Sequence, residues 1–150
     1  MRVVGIALIF FSAVIFCRPL LAVEKSGADM SDNPHVKLLS FLAPGLNSKG
    51  NRVQLPMTLV FEVSKETDVK RFCSMSPRIQ DAIMREMFKK PVRVKKGWKI
   101  DRSDIAVRLT SVANGALGKT TIVETHVYNK IVNYNSKLAK SAAWKVCNNR

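Results

Sequence analysis

Arg52-Val53-Gln54-Leu55-Pro56-Met57-Thr58-Leu59-Val60-Phe61-Glu62-Val63-Ser64 is the stretch that decides the fold class. Val53, Leu55, Met57, Leu59, Phe61 and Val63 recur at every second position, the period of a half-buried strand. Gln54, Thr58 and Glu62 hold the opposite face, which Pro56 and Val60 interrupt. Proline has no amide to give to a ladder, so Pro56 predicts an edge position or a strand that pairs only after it. A second run, Thr120 to Val132, is β-branched and alternating, and it reads as a strand as well.

The residues between these two strands are helical in pattern. Thr67 to Cys73 makes a short helix that Ser64 or Thr67 can cap, and Ser76-Pro77 restarts it, with serine at the cap and proline at the first helical position. Ile79, Ala82, Ile83 and Met87 then recur at spacings of three and four, a single apolar face that runs up to Pro91. A further helix starts at Asp101 or Ser103, buries Ile105, Leu109, Val112, Ala113 and Ala116, and stops at Gly118, where a left-handed backbone is easily reached. After the turn Asn133-Tyr134-Asn135-Ser136, Lys137 to Val146 forms a last helix in which Trp144 is a core or cap residue. Strand, two-piece helix, basic loop, helix, strand and terminal helix give an α+β fold: a small antiparallel sheet with helices packed on one face, plus a C-terminal helix. Two strands are too few for a stable sheet. The apolar island Val36–Leu42, a hairpin strand within the basic loop, or another subunit has to complete it.

Working outward to the N-terminus, MRVVGIALIFFSAVIFCRPLLA holds two arginines, no acid, and an apolar run from Val3 to Cys17. That run is about 15 residues, the length of an export-signal core and short of the about 20 that a spanning helix needs. Residues 1–22 are therefore a signal peptide cut near Ala22 or, uncut, an anchor that extends through Val23. Phe16 is too bulky to precede a lipidated cysteine at Cys17. The expected location is the periplasm, with inner-membrane anchoring if the signal is retained. Residues 23–51 read as a linker or disordered segment, because Val23 to Pro34 is small, polar and acidic, and 52–150 as the folded domain.

Export gives the charge its meaning. The chain carries +14, and without Arg2 and Arg18 the remainder is +12. Outside the cytoplasm the anions on offer are lipid headgroups, envelope polymers and acidic protein surfaces, so no nucleic-acid partner is expected. Lys89, Lys90, Arg93, Lys95, Lys96, Lys99 and Arg102 face Asp101 alone, with Val92, Val94, Trp98 and Ile100 interleaved. Trp98 among lysines suits a membrane interface, where the ring sits at headgroup depth and the ammonium groups meet phosphates. The plainer reading packs Trp98 into the domain and leaves the cations to water. Signal removal leaves Cys73 and Cys147, an even count that predicts a disulfide in an oxidising compartment; the alternative is two reduced thiols.

Catalytic patterns fail on inspection. Ala113-Asn114-Gly115-Ala116-Leu117-Gly118-Lys119-Thr120 imitates a phosphate loop, but a helix precedes it and a strand follows, the reverse of what phosphate binding needs. His35 and His126 lie far apart and neither has a Cys, Asp or Glu at ligand spacing; His126 shares a strand face with Glu124 and Tyr128, which suits a structural role. The chain is thus read as a non-enzyme with no catalytic, cofactor-binding or metal-binding residue.

Three segments in order carry a family resemblance: Ser76-Pro77-Arg78-Ile79-Gln80-Asp81-Ala82-Ile83, a helix with Val112-Ala113-Asn114 and Leu117-Gly118, and Val127-Tyr128-Asn129-Lys130-Ile131-Val132. Together, from about Val53 to Val132, they resemble the periplasmic domain of the flagellar basal-body protein FliL. The resemblance implies a non-enzymatic domain, related in shape to the stomatin-like fold, that oligomerises and contacts the flagellar basal body or stator. Gln80 stands where an arginine is common, the loop between the helices is more basic, and the tail after Val132 is additional. Two functions are accordingly expected: an envelope accessory protein that acts by protein contact, or a periplasmic module whose basic loop holds anionic lipid or polymer.

Overall fold

The structure, a computed structural model, describes residues 32–38, 40–133, 135–141 and 145–147. The signal segment 1–22, Leu39 and Trp144 lie outside them.

The long alternating run forms the central strand. We number the strands β1 (His35–Lys37), β2 (Phe41–Leu46), β3 (Arg52–Val63), β4 (Val92–Lys95), β5 (Lys99–Ile100), β6 (Ile122–Tyr128) and β7 (Lys145–Val146). β1 and β2 follow one another antiparallel along one edge of β3, with His35 opposite Glu62 and Phe41 opposite Met57, so the register slips by one position between them. β6 lies antiparallel on the other edge and pairs only with Thr58 to Val63. Pro56 thus occupies the half of β3 that has a single partner, as its missing amide requires. β4 joins β2 and β7 joins β1 in parallel, and β5 closes a hairpin on β4. The fold is α+β, with a mixed sheet.

Helices α1 (Val69–Ser74), α2 (Ser76–Lys89) and α3 (Arg102–Leu117) cover one face. Asp68, rather than Ser64 or Thr67, caps α1, its carboxylate accepting from the amides of Lys70 and Arg71. At the start of α2 the cap is Met75, with Ser76 buried inside the first turn. Asp101 caps α3 through the amide of Asp104, and Gly118 ends it in the left-handed region at φ 70°. The stripes Ile79, Ile83, Met87 and Ile105, Leu109, Ala113 meet Leu55, Met57, Leu59, Phe61 and Val63 in the main core. Phe72 stands edge-on to Phe61, ring centres 6.2 Å apart. Gly45 admits a close crossing: a Cβ there would sit 2.9 Å from Leu55 and 3.1 Å from the Val92 carbonyl.

Three boundaries differ from the sequence reading, the first being the strand expected from Thr120 to Val132, which is confined to β6 at Ile122–Tyr128. Residues 35–46, assigned to a linker, supply β1 and β2, because they pair along almost the whole of β3 and bury Val36, Leu38 and Ala43. Both internal candidates for completing the sheet are used, the apolar island and the hairpin in the basic loop. The terminal helix is also shorter than expected. α4 spans Lys137–Ser141, with the Ser136 hydroxyl accepting from the amide of Ala139, and Lys145–Val146 form β7 rather than a helix end.

The chain beyond β6 folds back over the second sheet face. Val60 packs with Val132, Ala139 and Tyr128, which explains an apolar residue on the polar side of the alternation. The Thr58 hydroxyl donates to the Lys130 carbonyl at 2.8 Å, accepts from the Val132 amide at 3.0 Å, and meets the Ser40 hydroxyl at 2.7 Å. Lys37 donates to the Val132 carbonyl, and burial pulls its ammonium below the ordinary lysine range.

Candidate functional site

Alternation along β4 sends Val92 and Val94 into the core and leaves Arg93 and Lys95 in solvent. Lys95 pairs with Lys99 across the hairpin, leaving Lys96-Gly97-Trp98 as its tip. Gly97 has φ 77° and Trp98 φ 60°. Glycine enters this left-handed region freely, whereas a bulky aromatic residue there is an outlier. Trp98 is also 60 % exposed. The plainer expectation, a tryptophan packed into the domain, is therefore corrected: the ring stands out at the tip. Beneath it a shallow depression of about 220 Å³ is lined by Asn47, Ser48, Val53 and Val94.

The hairpin brings together Arg93, Lys95, Lys96, Trp98 and Lys99. Among the described residues none of these four cations is within ion-pair distance of a carboxylate; the ion pairs lie at Lys65–Asp32, Arg85–Asp81, Arg108–Glu86 and the histidines. Lys89 and Lys90 sit at the end of α2, beside the exposed ring of Phe88. Arg102 leaves the group, since its guanidinium donates to the Asn129 side chain at the end of β6. One sequence-defined basic stretch is thus an unneutralised hairpin, a helix end and one separate arginine.

The two cysteines meet. Cys73 on α1 and Cys147 after β7 form a disulfide with their Cα atoms 5.1 Å apart, and Cys147 is buried in the main core.

A second polar constellation escaped the sequence reading. On the sheet face away from α1–α3, His35 of β1 lies opposite Glu62 of β3, and Glu62 lies opposite Glu124 of β6. His126, opposite Val60, is the diagonal neighbour of Glu62. Glu62 Oε2 is 3.8 Å from His35 Nε2 and 3.6 Å from His126 Nε2, and the two imidazoles stack with centres 5.4 Å apart. Asn33 donates to Glu62 Oε1 at 2.7 Å. The reading of two isolated histidines is corrected: strand register, not sequence spacing, assembles them. The sequence signal was the alternation that places Glu62, Glu124 and His126 on polar strand faces; His35 lies outside any periodic segment, and a register was needed to make a site.

No protein-family model, curated protein or solved structure matches this chain.

Proposed function

We propose that the protein is an exported, non-enzymatic module of the cell envelope that docks on an anionic lipid surface through its β4–β5 hairpin. The observation that supports this most strongly is Trp98, an exposed aromatic ring on a left-handed backbone at the tip of an unneutralised cationic hairpin. Backbone outliers of this type cost on the order of 1–3 kcal/mol and cluster where function uses them. A tryptophan with lysines on either side matches the depth profile of a headgroup layer.

The full-length protein is titrated with vesicles of anionic and of zwitterionic phospholipid. Each lysine near an anionic bilayer contributes about 1 kcal/mol, so replacing Lys95, Lys96 and Lys99 by glutamine weakens binding roughly 100-fold. The same change at Lys137, Lys140 and Lys145, also exposed, has a much smaller effect. Trp98→Gly relieves the left-handed backbone while deleting the ring, so thermal stability holds or rises as binding falls. Equal binding by the two triple variants, or binding indifferent to salt, reduces the hairpin to a solvated face. Binding to a soluble polyanion in preference to vesicles shifts the occupant to an envelope polymer.

A second reading, a FliL-like accessory role at the flagellar basal body or stator with self-association, is favoured by one observation. Among the described residues no strand pairs with the outer edge of β6, where Val123 is exposed, and an open edge is a template for another strand. Sedimentation across a wide concentration range shows a monomer–oligomer equilibrium on this reading, and Val123→Lys shifts it toward monomer. A strict monomer to about 1 mM, where association is worth only about 4 kcal/mol, removes the reading.

A further inference from the structure

We propose that His35, Glu62 and His126 form a binding site for one borderline divalent transition-metal ion, Zn²⁺ foremost, with a fourth position left open. The inference is independent of the hairpin reading.

The donor set is two imidazoles and one carboxylate, which suits zinc and its neighbours better than the hard cations that prefer oxygen. One ligand atom from each of the three residues lies within 4.8 Å of the others. Tetrahedral zinc with bonds of about 2.0–2.2 Å requires neighbouring ligand atoms roughly 3.4 Å apart. The two contacts to Glu62 Oε2, at 3.8 and 3.6 Å, are within a small rotamer adjustment of that value. They are too long for hydrogen bonds.

Three further observations point to a ligand in the cluster. His126 Nε2 is buried and has no hydrogen-bond partner among the described residues, an arrangement native structures avoid unless something else occupies the group. Asn33 holds Glu62 Oε1 and so leaves Oε2 turned to both imidazoles. Glu124 Oε1 lies 3.8 Å from His126 Nδ1, a small side-chain adjustment from the contact by which an outer carboxylate orients a ligating histidine.

The charge pattern agrees. Glu62 and Glu124 are direct cross-strand neighbours, and like charges so placed are destabilising. Lys37, on the same face of β1 as His35, is engaged with the Val132 carbonyl. A divalent ion between the imidazoles offsets the repulsion between these two carboxylates. His35 is 8 % exposed and Glu62 7 %, whereas the side chain of His126 is 31 % exposed, so the open position faces out along the His126 side.

The test uses untagged full-length protein carrying Cys17→Ser, stripped with chelator and titrated with ZnCl₂. One ion binds per chain, the melting temperature rises with zinc, and Co²⁺ gives the intense visible absorption of a tetrahedral site. Affinity falls as the pH is lowered, because protons compete with the metal for its ligand atoms. His126→Asn, at the half-exposed rim, leaves the metal-free melting temperature nearly unchanged and lowers zinc affinity at least about 100-fold, more than loss of an outer-shell partner. Glu62→Gln lowers it similarly. Absence of saturable binding, or binding untouched by both substitutions, overturns the site.

Discussion

Cys73→Ser lowers stability by about 4 kcal/mol, and Cys147→Ser lowers it by the same amount. The two cysteines are 74 positions apart, and closing a loop of that length removes about 4–5 kcal/mol of conformational freedom from the unfolded chain. Among the described residues the C-terminal end is held by little backbone pairing: β7 is two residues long and its one strand partner is β1. The melting temperature therefore falls by roughly 10–20 °C. The double variant adds little, since each single change removes the same bond, and reductant brings the wild type down to the level of the variants. Thermal scans with and without reductant, beside alkylation mapping of the thiols, check every part of this. Free thiols at both positions in protein isolated without reductant would leave the prediction without a basis.

Asn114→Ala costs about 2–4 kcal/mol. The side-chain amide donates to the Ile122 carbonyl at 2.8 Å and accepts from the amides of Thr121 and Ile122 at 2.8 and 2.9 Å. One residue near the end of α3 thereby satisfies three backbone groups where the chain enters β6. Alanine leaves all three without a partner in a largely buried place, and each such group costs about 1–3 kcal/mol, less what water recovers. Asn114→Asp keeps both acceptor contacts but loses the donor and sets a charge against the Ile122 carbonyl, so it destabilises as well. Urea unfolding measures the loss, and hydrogen exchange at Thr121 and Ile122 accelerates ahead of the rest of β6. A loss below about 1 kcal/mol would show that water replaces the amide. The same residues form the phosphate-loop imitation, and here the asparagine ties a helix to a strand.

Strongly periodic segments were legible because a single physical rule governs each. The alternation of Val53 to Val63 and the stripes at Ile79, Ile83, Met87 and Ile105, Leu109, Ala113 all reach the core they foretold. Composition alone led to the cysteine pairing. β1 and β7 were not legible: segments of three and two residues have no period, and their pairing is set by partners far along the chain. Lys145 and Val146 lie within a pattern that continues a helix equally well. The His35–Glu62–His126 cluster was hidden for the same reason, since a one-position slip in register would have sent His35 to the opposite face. Trp98 was visible as a residue, but its outward stance follows from a turn geometry that lysine and glycine neighbours do not reveal.

The parallel docking of β7 on β1 also orders events in time. β1 and β3 lie close along the chain, whereas the outer edge of β1 is covered by a strand from the far end of the described chain. Pairings so distant along the chain form slowly and leave a nascent strand open to other chains meanwhile. A chain threading out N-terminal end first would hold that bare edge for the whole of its passage. The Cys73–Cys147 disulfide closes that side of the sheet, because it ties the residue after β7 to α1.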